Sequence, residues 1–256
     1  IGIEPNFSLY ELINYEEQKA EQALNELEIF NAINNYSEQP ILDYFEGTID
    51  NIPIFNKKEV NRKELKADLL KYKWLIEWKE LYIIVLKITD ISLSSKSDKD
   101  KIEELLLWMS KDFIYSHVAI VFSIFLFSSR RQKNMVKFKL TDSKEKRHLS
   151  LKNMTWDIYY MTTFFRKWRS KSKDTEYIFA SNDKTIKEIL SISINLAKAT
   201  DWSLLKKYLT LNEYRHVEKL RLFMMENLDR KFKSSIWSEE YINELIKTLE
   251  LKLLAD

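Results

Sequence analysis

The sequence predicts a predominantly α-helical protein assembled on a small α/β core with a short parallel sheet. Three observations carry that expectation. Two glycines and three prolines in 256 residues leave few turn formers, which favours long helices over turn-rich sandwiches or barrels. Apolar residues recur at helical spacing over most of the chain. Two short apolar runs, residues 1–3 and 177–180, read as strands.

In chain order, residues 1–3 end a strand that Pro5 and Asn6 close. Ser8 then opens a helix whose apolar face carries Leu12, Ile13, Ala20, Ala23, Leu24, Leu27 and Phe30. Pro40, Gly47 and Pro53 mark a looser connection. From Asn61 the helical pattern returns through Leu65, Leu69, Leu70, Trp74 and Trp78. It runs into the β-branched stretch LYIIVLKI, residues 81–88, which periodicity assigns to neither helix nor strand. Residues 92–101 read as a polar linker, and 102–128 as one long helix. Its apolar segment, 113–127, falls short of the roughly 20 residues that span a bilayer, so a buried central helix is expected.

Residues 130–152 are polar and basic without a period. A helix bearing Trp156, Tyr159, Tyr160, Phe164 and Trp168 follows, then a lysine-rich turn and the apolar run Tyr177-Ile178-Phe179-Ala180, read as a buried strand. Helices are expected over about 185–199, 204–232 and 238–254. The organisation expected is one domain: a core of 1–36 and 148–200, a helical insertion over about 37–147, and a helical C-terminal extension over 201–256.

Composition narrows the chemistry. The absence of cysteine excludes disulfides, thiolate zinc sites and thiol nucleophiles, and fits a reducing, cytoplasmic setting. Two glycines cannot build the phosphate-cradling loops of nucleotide-binding folds. No signal peptide is visible at the start, and no membrane role is expected. The chain opens at Ile1 without methionine, which we read as a fragment or a processed product.

Formal charge is only +2, but residues 130–173 hold fourteen Lys or Arg against three acids, a segment of +11 in a remainder of −9. Such a block attracts phosphates irrespective of sequence. The plainer reading is a solvated face of ordinary lysines. The contact residues expected for a nucleic acid are Arg130, Arg131, Lys133, Lys146, Arg147, Arg166 and Arg169.

Three segments each set one acid in apolar surroundings: Asn6-Phe7-Ser8-Leu9-Tyr10-Glu11-Leu12, Asn153-Met154-Thr155-Trp156-Asp157-Ile158, and Tyr177 through Ser181-Asn182-Asp183-Lys184. Carboxylates gathered beyond strand ends would hold Mg²⁺ or Mn²⁺, hard cations that prefer oxygen. A metal so held activates water and stabilises charge on a phosphodiester. In order and wording these segments resemble the PIN domain family of nucleases. The resemblance covers residues 1–20 and about 148–199. It implies a metal-dependent endoribonuclease, of a kind met in toxin and phage-defence systems. Glu11, Asp157 and Asp183 would be catalytic acids and metal ligands, with Ser181 and Asn182 accessory to them. The family's first aspartate has no counterpart from Ile1 onward.

Structural roles compete at each position. Ser8 and Glu11 match a capping box, the dipole of a helix start accounts for Asp157, and Asp183 suits an N-cap, although Thr185 and Glu188 form a competing box. Ser181 and Asn182 are ordinary turn residues. His117 reads as a core histidine and His148 as part of the basic block. His216 sits among charged neighbours, and three scattered histidines make no zinc site. The aromatic residues, Trp156, Tyr160 and Trp168 among them, read as core. Two further functions stay open: a non-catalytic helical interaction or scaffold subunit, with a protein partner or a second copy, and sequence-independent nucleic-acid binding without hydrolysis. RNA is the favoured partner.

Overall fold

The structure, a computed structural model, describes residues 6–15, 19–34, 38–52, 61–63, 66–67, 76–129, 131, 135–227 and 238–255. Among these no strand forms, and the fold is all-helical. The α/β core with its parallel sheet is thereby corrected. The first expected strand lies outside the described residues. The second, Tyr177 to Ala180, is irregular chain with Tyr177 39% and Ile178 84% exposed. A four-residue apolar run has no ladder partner here, so its main chain stays in the solvent-facing loop and only the Phe179 ring packs, edge-on to Phe164 at 5.3 Å.

The helices are α1 (Asn6–Tyr15), α2 (Ala20–Asn34), α3 (Glu38–Phe45), α4 (Ile76–Leu93), α5 (Asp98–Lys111), α6 (His117–Leu126), α7 (Lys144–Arg169), α8 (Lys184–Lys198), α9 (Leu211–Asn227) and α10 (Glu239–Leu254), with a 3₁₀ turn at Ser203–Lys207. The chain divides into two compact units, Ile1–Leu75 and Ile76–Asp256.

In the first unit α1 and α2 bury Leu9, Ile13, Ala23, Leu24 and Leu27 against one another. The apolar spacing expected for one helix thus serves two. Helix α3 ends in a Schellman turn: Gly47 takes φ +72°, a conformation that suits glycine, while Gly47 and Thr48 donate their amides to Tyr44 and Asp43. Arg62 forms ion pairs with Glu21 and Glu28 on α2.

In the second unit α4 is the central helix. Leu81 to Leu86 are all buried because α5, α7 and α10 pack around it. A helix covered on every side has no polar face, which is why LYIIVLKI shows no period. Ser97 caps α5 by accepting from the Asp100 amide, so the expected linker is in part helix, and the expected long helix 102–128 is two. The break falls at residues 112–116, where Ser116 caps α6. Every residue from Val118 to Leu126 is buried. No described helix is long and apolar enough to cross a membrane.

Helix α7 begins earlier than the sequence suggests. Ser143 accepts from the Lys146 amide, and the polar stretch 144–152 becomes the first turns of a 26-residue helix about 39 Å long. Asp157 therefore lies mid-helix, not in a first turn where the dipole would favour it.

Candidate nucleic-acid interface

The three candidate acids have different settings. Glu11 is half-buried on α1, in the first unit. Asp157 and Asp183 belong to the second. Asp157 is half-exposed on α7. Asp183 is exposed and caps α8: its Oδ1 accepts from the amides of Thr185 at 2.8 Å and Ile186 at 3.2 Å. Ser181 Oγ accepts in turn from the Asp183 amide at 3.1 Å, and Asn182 is exposed in the same turn. These bonds belong to a helix start. Among the described residues no group of three or more His, Asp or Glu is placed to hold a metal ion. The donor set expected for Mg²⁺ or Mn²⁺ is not assembled by them, and no catalytic step is derived through a metal.

The Lys198 ammonium stands 5.1 Å over the Trp168 ring. His117 stacks on Phe165 at 5.1 Å and holds the Ser193 carbonyl through Nε2 at 3.0 Å. The C-terminal ends of α7 and α8 therefore lie near each other.

The basic block is broken up by partners distant in sequence. Arg147 is buried, and its Nη1 donates to the carbonyls of Leu253 and Ala255, both at 3.1 Å. Arg166 holds both carboxylate oxygens of Glu77 on α4. Lys146 pairs with Asp142 at 2.9 Å, and Lys171 with Glu176. Arg130 and Lys133 lie outside the described residues. The cations of the block that stay exposed, and for which no ion pair with a described acid is seen, are Arg131, Lys137, Lys139 and Lys144 before or at the start of α7, where Glu145 neighbours Lys144, and Arg169 and Lys173 at its far end. The expected single stripe is two sets, separated by about 37 Å along one helix.

Between the two sets runs a face of α7 that the bundle leaves partly open. Lys146, Asn153, Asp157, Tyr160, Phe164 and Lys167 follow one another at spacings of 7, 4, 3, 4 and 3, one line along the helix. Leu151, Thr155, Ile158 and Phe165 are buried on the other side. Tyr160 and Phe164 are thus half-exposed, not core. Trp156 backs Tyr160 at 5.6 Å, and Phe179 braces Phe164. Spacing alone could have shown this line, had the start of α7 been placed at Ser143.

A second polar cluster escaped the sequence reading altogether. The Tyr82 hydroxyl on α4 donates to Glu250 on α10 at 2.6 Å, and His148 Nε2 on α7 stands 3.5 Å from the same oxygen. Burial and the neighbouring carboxylate push the Tyr82 hydroxyl pKa far up. Burial lowers both His148 and, one turn on, Lys152. Its members come from three helices, and only the His148–Lys152 spacing is visible in sequence. Of the other histidines, burial lowers His117 in its aromatic cage, and His216 faces Glu103 at 3.5 Å.

No protein-family model matches the chain, and no curated protein or solved structure matches it. Any function therefore rests on the residues themselves.

Proposed function

We propose that this chain binds nucleic acid, RNA foremost, along α7 and the loops at its two ends. The observation that carries the reading is the pair of cation sets, Arg131, Lys137, Lys139 and Lys144 at one end and Arg169 and Lys173 at the other, left exposed after structural partners have taken their share. Exposed cations not held in ion pairs can neutralise phosphates, and the released counterions supply sequence-independent affinity. Metal is not needed for binding. The test is fluorescence anisotropy of labelled RNA in EDTA, with the wild type and with Lys137→Gln, Lys139→Gln, Arg169→Gln and Lys173→Gln combined. Binding by the wild type and its loss in the combined variant support the reading; no binding by the wild type refutes it.

A second reading adds Mg²⁺- or Mn²⁺-dependent hydrolysis of the bound strand in which Asp157 takes part. What favours it is the position of Asp157 in the half-exposed line beside Tyr160. Product formation that needs the divalent ion and is lost in Asp157→Asn, with RNA affinity retained, would support it. Equal behaviour with the ion and with EDTA would remove it.

A further inference from the structure

We infer that the strand recognised is single-stranded, with bases stacked on a rigid aromatic platform formed by α7 and the loop after it. This rests on the proposed nucleic-acid reading and specifies its substrate class.

The platform is made of Tyr160 and Phe164 on α7 and Tyr177 and Phe179 on the returning loop. Tyr160, Phe164 and Phe179 are half-exposed, and Tyr177 is 39% exposed. Each α7 ring is held from behind. Tyr160 leans on Trp156 at 5.6 Å, and Trp156 is fully buried against Trp78 at 5.7 Å and Tyr159 at 5.4 Å. Phe164 meets the edge of Phe179 at 5.3 Å, which fixes the loop against the helix. Rings immobilised by packing lose little freedom when a base lies on them.

The electrostatics fit the same occupant. Arg169 and Lys173 stand at the platform's end of α7, and Lys144 with Lys137 and Lys139 at the other, so a backbone following the helix meets cations on both sides of the rings. Cations flanking exposed rings are how proteins hold single strands without reading sequence, because every base has a π-face. A duplex keeps its bases paired and stacked inside and offers the rings no free base face.

The experiment compares three probes of about 12 nucleotides, within the range of single-strand site sizes: oligouridylate, its abasic counterpart with the same phosphates, and the RNA duplex. Oligouridylate is expected to bind about tenfold or more tightly than the abasic strand and the duplex. Tyr177→Ser, at a position too exposed to carry the fold, and Tyr160→Ser should each bring oligouridylate toward the abasic value, while Tyr160→Phe keeps the wild-type value. Equal affinity for all three probes overturns the inference and leaves the proposed binding intact. Absence of binding to any probe overturns both.

Discussion

Nη1 of Arg147 donates to the main-chain oxygen of Leu253 at 3.1 Å, so a cation from the heart of the basic block closes the C-terminus of α10 instead of facing solvent. The last carbonyls of a helix have no partner within it, and here a buried guanidinium supplies one for Leu253 and for Ala255. Arg147→Met should lower unfolding free energy by about 1–3 kcal/mol, the usual cost of stranding buried acceptors. RNA affinity should not change. Urea denaturation and anisotropy on the same preparation check both halves. Weakened binding at unchanged stability would show that Arg147 contacts the ligand after all.

Asp183 offers a substitution that separates a cap from a metal ligand. Asparagine accepts amide hydrogen bonds at an N-cap about as well as aspartate, whereas alanine costs about 0.5–2 kcal/mol. Asp183→Ala should therefore lower the urea midpoint, and Asp183→Asn should leave it close to wild type, because the bonds at stake run from the Thr185 and Ile186 amides. A large loss of stability in Asp183→Asn would mean the carboxylate charge does more than cap α8.

Stability should fall as pH drops below the unfolded histidine value of 6.5. Burial lowers the pKa of His117 and of His148 in the folded state. In the interval beneath 6.5 the unfolded chain therefore binds more protons than the folded one, and acid favours unfolding. What the two neutral histidines contribute is complete above 6.5 and is lost as pH falls through their folded values. Urea midpoints at pH 7.5 and 5.5 measure the slope. His148→Gln should flatten it, because it removes one of the two groups whose folded pKa is lowered. An unchanged slope in both His148→Gln and His117→Gln would refute the assignment.

Tyr82→Phe removes the hydroxyl that Glu250 accepts from and leaves the Trp78 stacking at 5.1 Å in place. The half-buried Glu250 then keeps His148 and Lys152 nearby. The expected loss is about 1.5–3 kcal/mol, the range for a hydrogen bond to a charged group. Thermal unfolding reads it, and a melting temperature equal to wild type would show that the Tyr82–Glu250 bond contributes nothing net.

Where one face of a helix is buried, the pattern is plain in the sequence: α10 repeats Tyr241, Ile242, Leu245, Leu249 and Leu253, and Ile242, Leu249 and Leu253 are buried. The apolar run around α6 announced a buried helix for the same reason. The pattern fails where burial is complete or absent. Residues 81–86 are buried on all sides, and Lys144–Arg147 look like loop because only the Ser143 cap marks them as a helix start. Tyr177 to Ala180 has a strand's composition and no strand beside it. The site was less legible still. Density of Lys and Arg says nothing of which cations are consumed, since Glu77 lies 89 residues from Arg166 and Leu253 lies 106 from Arg147. Asp183 as a helix cap was visible from its spacing alone.

The most direct test of nucleic-acid binding by the ends of α7 is the salt dependence of affinity for a single-stranded RNA. Each phosphate neutralised on a single strand contributes about −0.7 to the slope of log affinity against log salt. The wild type should show a slope of about −2 or steeper, with at least three of the six exposed cations proposed at the ends of α7 engaged. Lys137→Gln with Lys139→Gln should remove about 1.4 of it, as should Arg169→Gln with Lys173→Gln. A wild-type affinity indifferent to salt, or a slope that neither pair of substitutions reduces, would contradict the account.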